Sequence, residues 1–298
     1  VNQLNQQTEQ LSPLSSRPTY TETENDLTVK ANKRTFIFSK KDGQLKGVSV
    51  DNRKINFANG PRFIGARRAD RSLDQFYNHD DEKAKEKDRT YSEFPDAAVF
   101  TKLDVKEDGG NLVVTANYKL GNLDKAQWTI NPSGELALDY TYNFSGVVDL
   151  MGIRFDYPED QVISKRWLGA GPYRVWQNRI HGTQYDVWEN DYNDPIPGET
   201  FTYPEFKGYF GDVSWMNIQT KEGTISLTNE TPDAYIGVYQ PRDGRDRLLY
   251  TLPESGISVL NVIPPVRNKV NSTDLCGPSS QLKWVNGPQT GRVIFRFM

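Results

Sequence analysis

The sequence predicts an all-β protein built as a large antiparallel sandwich. Short segments of alternating apolar and polar residues recur along the 298-residue chain, and Gly, Pro, Asn and Asp mark the turns between them. The chain has no heptad pattern, no long amphipathic helix and no regular alternation of strands with helices. Because the composition does not change abruptly, we expect one domain over residues 21–298, preceded by a flexible tail or linker of residues 1–20.

The first predicted strands surround clear turn signals. Lys41-Asp42-Gly43 separates residues 35–39 from residues 45–50, which predicts a β-hairpin, and residues 53–57 predict another short strand. Residues 61–89 are highly charged and only weakly periodic, so they are predicted to form a long loop with one helical turn between Ser72 and Asn78.

The clearest strands follow this charged segment. Two sets of apolar residues at period two predict strands with one buried face. The first set is Leu112, Val114, Ala116, Tyr118 and Leu120, and the second is Leu136, Leu138, Tyr140, Tyr142 and Phe144. Further strands are predicted at residues 99–107, 151–157, 164–168, 224–228, 235–240, 257–263 and 293–297.

One stretch, residues 166–215, differs from the rest because it holds four of the six Trp and many Tyr, Phe and Arg residues. Gly169 and Gly171 are expected to break regular structure, and four prolines remove backbone donors: Pro172, Pro195, Pro197 and Pro204. The stretch is therefore predicted to be an irregular loop, neither a helix nor a run of strands. Long loops of this kind are usually held by their own packing and often carry function.

This aromatic stretch predicts a carbohydrate-binding site. A sugar has apolar C–H faces that stack on Trp and Tyr rings, and a rim of hydroxyls that Arg and acidic side chains can hydrogen-bond. The candidate residues are Tyr173, Arg174, Trp176, Arg179, Trp188, Glu189 and Tyr192. The alternative is that these rings form the core of the loop or pack between the sheets.

The sequence predicts no catalytic residues, metal site or cofactor. A glycosidase needs two carboxyl groups about 5–9 Å apart, and the acids of the stretch could form such a pair or could instead bind Arg166, Arg174 and Arg179 and fix the loop. These acids are Glu189, Asp191, Asp194, Glu199 and Glu205. His79 and His181 have no metal-ligand spacing, and the single Cys276 excludes an intrachain disulfide.

The composition also argues against two classes of partner, nucleic acid and membrane. A formal net charge of −3 and a pI near 5.6 argue against nucleic acid as the main partner. No apolar run approaches the ~20 residues needed to cross a bilayer, so no membrane partner is predicted. The polar start of the chain lacks the apolar core of a signal peptide and resembles a tail or the cut end of a longer protein. The compartment is left unassigned.

Three motifs occur in order along the chain. The first is residues 38–45, FSKKDGQL. The second is Asn59-Gly60-Pro61-Arg62-Phe63 followed by residues 67–70, RRAD, and the third is residues 167–172, WLGAGP, followed by Asn178-Arg179. They resemble the opening hairpin, the GPxxxxxRAPxDND segment and the LGxGPxExYxDR segment of the C-terminal domain of family 2 glycoside hydrolases of the β-galactosidase type. Residues 173–179 and 203–209 are similar to a subgroup common in gut bacteria, for which a periplasmic or secreted location is the expectation.

The resemblance implies a galactose mutarotase-like β-supersandwich and a place in a larger enzyme. In that family the acid/base and nucleophile Glu residues belong to a (β/α)8 barrel N-terminal to this domain. The chain departs from the family pattern where Arg174 or a neighbour replaces a Glu and where Asp70 replaces a Pro. It also has no Trp in residues 271–277, where some β-galactosidases send a Trp into the active site.

Three functions follow as hypotheses. The first is an accessory domain of a β-galactosidase-like enzyme that packs on the catalytic barrel and helps to wall the substrate cleft, with a galactoside or a plant or host glycan as ligand. The second is a stand-alone carbohydrate-binding module. The third is a mutarotase-like enzyme, for which His181 is the best candidate for acid–base catalysis.

Overall fold

The computed structural model describes residues 16–68, 91–192, 208–239, 253, 255–265 and 282–298. The strands of the first half are β1 Thr19–Glu22, β2 Asp26–Ala31, β3 Arg34–Ser39, β4 Leu45–Val50, β5 Arg53–Ile55, β6 Ala58–Arg68, β7 Tyr91–Glu93, β8 Val99–Asp108, β9 Asn111–Lys119 and β10 Leu123–Ile130. Those of the second half are β11 Leu136–Val148, β12 Leu150–Asp156, β13 Val162–Gly171, β14 Gln184–Asp191, β15 Trp215–Thr220, β16 Gly223–Asn229, β17 Tyr235–Val238, β18 Ile257–Val262 and β19 Lys283–Phe297. One 3₁₀ turn, Glu159–Gln161, precedes β13.

Within these ranges the strands form two antiparallel sheets. The ten-stranded sheet has the order β1-β2-β3-β4-β6-β12-β18-β17, with β5 beside β4 and β7 beside β6. The nine-stranded sheet has the order β14-β13-β15-β16-β19-β11-β10-β9-β8. The two sheets pack face to face around a shared apolar core, so the protein is an all-β antiparallel sandwich.

An aromatic layer joins the sheets. Phe155 of β12 stacks on Phe57 with ring centroids 4.8 Å apart. On its other sides it meets the edges of Phe295 at 5.3 Å and Trp128 at 6.0 Å, both from the nine-stranded sheet. Full burial of one such ring contributes about 1.5–3 kcal/mol, and each ring pair adds about 0.5–1.5 kcal/mol. Contacts around Phe155 therefore bind the sheets together.

Gly60 makes room for this central ring. A Cβ atom added at Gly60 would lie 2.2 Å from Cδ1 of Phe155 and 2.8 Å from the carbonyl oxygen of Arg154. Both distances are too short for a real contact, so only glycine fits where β6 passes the Phe155 ring. The Gly60-Pro61 bond is cis.

Most predicted strands are confirmed. Residues 45–50 form β4 as predicted, and the whole predicted apolar face of β11 is buried, from Leu136 to Phe144. In β9 the predicted face is buried from Leu112 to Ala116 and Tyr118 is half-buried, but the expectation for Leu120 was wrong. Leu120 is 72% exposed because it lies in the turn after the strand, with φ +59°.

The predicted loops were wrong in three places. Residues 61–68 belong to β6, which is buried between β4 and β12 and therefore needs no alternation. β1 begins at Thr19, inside the expected tail, because Thr19 and Tyr20 pair with β2. The aromatic stretch contains most of β13 and all of β14, and Gly169 and Gly171 lie inside β13. The remainder of the predicted charged loop, residues 69–89, lies outside the described residues.

We expect the substitution Gly60→Ala to lower the free energy of unfolding by about 1–3 kcal/mol, because the new methyl group overpacks the Phe155 ring and the Arg154 carbonyl. Urea unfolding followed by circular dichroism measures this change.

Gly47→Ala is the matched control. Gly47 lies in β4, and a Cβ atom added there would meet nothing within 4 Å. The control should change stability by less than about 1 kcal/mol. Equal effects of the two substitutions would contradict the role assigned to Gly60.

Candidate functional site

A hairpin of β13 and β14 at one edge of the nine-stranded sheet forms the framework of the candidate site. Trp167 and Trp188 lie directly opposite each other on this hairpin. The Trp167 Nε1 donates to the Ala170 carbonyl at 3.0 Å, and the ring meets the edge of Phe210 at 4.8 Å. A Cβ atom at Gly171 would lie 2.4 Å from Cδ1 of Trp188. Gly171 therefore gives the Trp188 indole its position instead of breaking the strand.

The connection between the two strands, residues 172–183, has its own apolar anchor. Val175 and Tyr209 exchange backbone hydrogen bonds of 2.7 and 2.8 Å, and the Trp176 ring meets Tyr209 edge-on at 5.7 Å. The three side chains are buried against apolar residues of β6, β12 and β18 and the segment after β18: Ile64, Ala66, Leu150, Leu260 and Ile263. Phe63, next to Ile64 on β6, belongs to the inter-sheet core. The connection therefore covers the outer face of the ten-stranded sheet.

Glycines let the backbone of this connection and of β13 pack directly against the backbone of residues 208–213. A Cβ atom at Gly208 would lie 2.1 Å from the Val175 carbonyl oxygen, and one at Gly169 would lie 3.0 Å from the Gly211 and Asp212 carbonyl oxygens. Substitution at Gly208 therefore requires the backbone to move. In the described part of the aromatic stretch, glycine contacts fix the backbone as much as the packing of the rings does.

Polar and charged residues surround Tyr192 beside the hairpin, and we call them the Lys165 cluster: Glu159, Lys165, Arg174, Tyr192 and Tyr239. Lys165 is 1% exposed, and its Nζ donates to the Asp191 carbonyl at 3.1 Å. The same Nζ lies 5.2 Å from the centroid of the Tyr192 ring and 5.9 Å from that of Phe210. These contacts compensate for removing the ammonium group from water.

The two phenols of the Lys165 cluster are held in their neutral form. Burial raises the pKa of Tyr192, and the hydrogen bond that its hydroxyl donates to Glu159 raises the pKa further. The nearby positive charge of Arg174, which is itself buried, lowers the Tyr192 pKa by less than these effects raise it. Burial and then the charge of Glu159 raise the pKa of Tyr239. At neutral pH both phenols are protonated, and the Tyr192 hydroxyl donates to Glu159.

The structure separates the seven predicted carbohydrate-binding residues into two groups. Tyr173, Arg179 and Glu189 are exposed. Arg174 and Trp176 are buried, and Trp188 and Tyr192 are half-buried and pack against the core. Four of the seven therefore contribute to the interior of the hairpin region, and three are at the surface.

The acids of the stretch are only partly within the described residues. Glu189 is exposed and lies directly opposite Arg166 in the β13–β14 register. Asp191 is exposed and supplies only its backbone carbonyl to Lys165. Three other acids, Asp194, Glu199 and Glu205, lie outside the described residues, as do His79, Cys276 and residues 271–277.

Sequence reasoning missed three members of the Lys165 cluster: Glu159, Lys165 and Tyr239. Lys165 lies two residues before Trp167 and therefore on the same buried face of β13, and that position was the available signal. Glu159 and Tyr239 are distant in sequence, and nothing local indicates that they approach Tyr192.

Among the described residues, no group of three or more His, Cys, Asp or Glu residues is placed to hold a metal ion. No helix there is long and apolar enough to span a membrane.

We expect the contribution of Tyr192 and Tyr239 to the free energy of unfolding to be constant below about pH 9 and to fall as the pH rises above 10, the ordinary tyrosine pKa. Because the folded-state pKa values of Tyr192 and Tyr239 are raised, folding favours the protonated phenols. That contribution is complete below the unfolded-state pKa and is lost as the pH rises through the folded-state values. Urea unfolding at a series of alkaline pH values measures it.

Tyr192→Phe isolates the contribution of the Lys165 cluster. The variant keeps the ring next to Lys165 but cannot ionise, so its stability should fall less steeply above pH 10 than that of the wild type. Tyr20→Phe is the control, because Tyr20 is 44% exposed on β1. If Tyr192→Phe leaves the alkaline slope unchanged, the cluster does not hold this phenol protonated.

Solved structures with a similar chain course span nearly the whole protein. A galactose 1-epimerase from Lactobacillus acidophilus NCFM has 8% sequence identity and a TM-score of 0.45, with coverage of 95% of this chain and 99% of that chain. An aldose epimerase homologue from C. elegans has 8% identity and a TM-score of 0.42, with coverage of 94% and 99%. A copper-containing benzylamine oxidase from Hansenula polymorpha has 8% identity and a TM-score of 0.35, with coverage of 100% and 64%.

These neighbours include enzymes of unlike chemistry at low similarity, so they carry no argument about activity. Among curated proteins, none matches the chain by sequence. The family model described as "Beta galactosidase small chain" matches residues 30–261, which is most of the chain. The matched region contains both Gly-Pro motifs, the aromatic stretch and the Lys165 cluster. The protein therefore belongs to the β-galactosidase small chain family.

Proposed function

We propose that this chain is the accessory C-terminal-type domain of a β-galactosidase-like family 2 glycoside hydrolase. It packs on a catalytic (β/α)8 barrel and helps to wall the cleft that binds the galactoside. The observation that carries the proposal is the family match over residues 30–261, which includes the motifs that resemble this domain.

The surroundings of the described acids support an accessory role. Hydrolysis of a glycoside requires two carboxyl groups on either side of the scissile bond. Near the aromatic stretch, Glu159 accepts a hydrogen bond from Tyr192, and Glu189 lies opposite Arg166 at the surface. The hydrogen bond from Tyr192 therefore gives Glu159 a partner within the domain. The proposal assigns the acid/base and nucleophile to the catalytic barrel.

The exposed apolar residues around the β13–β14 connection support a docking role. Tyr173 is 42% exposed, Ile180 is 41% exposed and Tyr185, at the start of β14, is 59% exposed. The Tyr185 hydroxyl is 2.6 Å from the Ser214 hydroxyl oxygen, which limits the movement of the side chain. Tyrosine is enriched at protein interfaces because its ring offers a large contact area at low entropic cost. We call these three residues the docking face.

Carbohydrate contact is the second part of the proposal. Tyr173, Arg179 and Glu189 are the predicted ligands that remain exposed, so a sugar bound at this hairpin would meet them first. A stand-alone carbohydrate-binding module would use the same residues without a catalytic barrel. The mutarotase alternative gains no support from the described residues, where His181 is exposed on the same connection.

The test is complementation with the catalytic chain of the parent enzyme, produced separately. Hydrolysis of p-nitrophenyl β-galactoside is measured for each chain alone and for the mixture. The accessory role predicts no turnover by the 298-residue chain. It also predicts that the mixture exceeds the catalytic chain alone by about tenfold, which corresponds to about 1.4 kcal/mol of barrier. Turnover by the 298-residue chain alone would refute the proposal.

The docking face is tested in the same assay. We expect Tyr185→Asp to weaken association of the chains by about tenfold or more, because loss of an aromatic anchor with burial of a charge is costly at an interface. The matched control is Tyr20→Asp, since Tyr20 is also exposed but lies on β1 at an edge of the other sheet. If both variants complement as well as the wild type, the docking face lies elsewhere.

A further inference from the structure

β8 lies at one edge of the nine-stranded sheet, and among the described residues it pairs with β9 alone. An edge strand presents unpaired N–H and C=O groups, to which another strand can hydrogen-bond. The two-residue turn Gly109-Gly110, with φ +57° and +89°, joins β8 to β9 and places Asp108 opposite Asn111. This turn determines which residues of β8 bond to β9 and which face the free edge.

Three residues of β8 direct their backbone groups to the free edge. The residues that flank a two-residue turn hydrogen-bond to each other, so Asp108 and Asn111 form a hydrogen-bonded pair. Hydrogen-bonded and non-hydrogen-bonded pairs alternate along an antiparallel ladder. Every second residue before Asp108 therefore also bonds to β9. The residues between them face the free edge: Leu103, Val105 and Glu107.

The side chains on the outer face of β8 alternate in charge. Leu103 and Val105 pack against the inter-sheet core, so the residues on either side of them lie on the outer face. These residues are Lys102, Asp104, Lys106 and Asp108. All four side chains are more than half exposed, and each lysine lies near the next aspartate along the strand, at 2.8 and 3.9 Å. Such exposed pairs contribute only about 0–1 kcal/mol to stability, so folding does not require the pattern.

The free edge of β8 is complementary to itself in its backbone groups. When β8 of a second copy lies antiparallel with Val105 opposite Val105, Leu103 lies opposite Glu107 of the second copy. The edge-facing residues of the two copies then form hydrogen-bonded pairs with one another. Each copy presents the same surface to the other, which is the geometry of a two-fold symmetric dimer.

The charges match in the same register. Lys102 lies opposite Asp108 of the second copy, and Asp104 lies opposite Lys106. These are non-hydrogen-bonded pairs, in which opposite side chains approach most closely. A shift of the second copy by two residues instead places Asp104 opposite Asp104 and Lys102 opposite Lys106. One register is therefore favoured, and its neighbours bring like charges together.

The opposite edge of the same sheet has no such complementarity. The charged residues of β14 are all acidic, so two copies of that edge would repel each other: Asp186, Glu189 and Asp191. Charges that only prevent edge pairing need no alternation of sign. The alternation on β8 therefore selects a second copy of this chain as the partner.

We propose that two copies of this chain associate through β8, with Val105 on the two-fold axis, and join their nine-stranded sheets into one. The inference goes beyond the accessory role and does not depend on it, because β8 and the β13–β14 hairpin of the docking face lie at opposite edges of the sheet. The edge offers less surface than a standard interface of about 1,600 Å², so we expect dissociation in the micromolar range.

The experiment is sedimentation equilibrium of the 298-residue chain and of two charge variants. The acidic variant is Lys102→Asp with Lys106→Asp, and the basic variant is Asp104→Lys with Asp108→Lys. We expect the wild type to dimerise and each variant alone to dimerise about tenfold or more weakly, because like charges then lie opposite each other. An equal mixture of the two variants should form a dimer with one copy of each, since every opposite pair is again a lysine and an aspartate.

Lys33→Asp with Lys46→Asp is the matched control, because both lysines also pair with an exposed or half-exposed aspartate but lie on the other sheet. The control should dimerise as the wild type does, and circular dichroism checks that every variant is folded. A wild type that stays monomeric at about 100 µM would overturn the inference. So would dimers that form equally well in both charge variants, or a mixture of the variants that stays monomeric.

Discussion

Close contact between glycine backbone and aromatic rings is the constraint on which this fold depends. Gly60 leaves room for the Phe155 ring between the sheets, and Gly171 leaves room for the Trp188 indole within the edge hairpin. Both glycines belong to Gly-Pro motifs, and both precede cis peptide bonds. In each motif a large ring therefore occupies the space that a side chain on the glycine would need. The same steric relation explains the inter-sheet core and the shape of the hairpin that carries the candidate site.

The hairpin region combines two kinds of packing. On the outer face of the ten-stranded sheet, Val175, Trp176 and Tyr209 form a small apolar core of their own. Near Tyr192, Lys165 and Arg174 are buried in the cluster that also contains Glu159 and Tyr239. A buried charge is tolerated only with close polar partners, so the geometry of this cluster fixes the end of the sandwich. The exposed residues of the hairpin project from a rigid base.

The sequence was informative wherever one sheet face is buried and the other is half-exposed. Period-two alternation identified β9 and β11 because their polar residues mark the outer face. It failed for β6, where Phe63 faces the inter-sheet core and Ile64 and Ala66 on the outer side are covered by the connection of residues 172–183. It also failed for β14, an edge strand with little burial on either face. Apolar and polar residues alternate only where the two faces of a strand differ in burial, and the faces of β6 and β14 differ little.

The candidate site was less predictable than the fold. The aromatic stretch was recognised as unusual, but burial divides its residues in a way that spacing cannot indicate, since Arg174 is buried and Arg179, on the same connection, is exposed.

The position of β19 has a consequence for biosynthesis. This strand lies between β11 and β16, so without it the nine-stranded sheet consists of two separate halves, β8–β11 and β13–β16. A ribosome makes both halves before residues 283–297 emerge, and until then β11 and β16 each present an open edge. The nascent protein therefore passes through a stage in which a β19 strand from another copy could pair with either edge. This topology therefore favours strand exchange between copies during that interval, unless a chaperone covers the open edges.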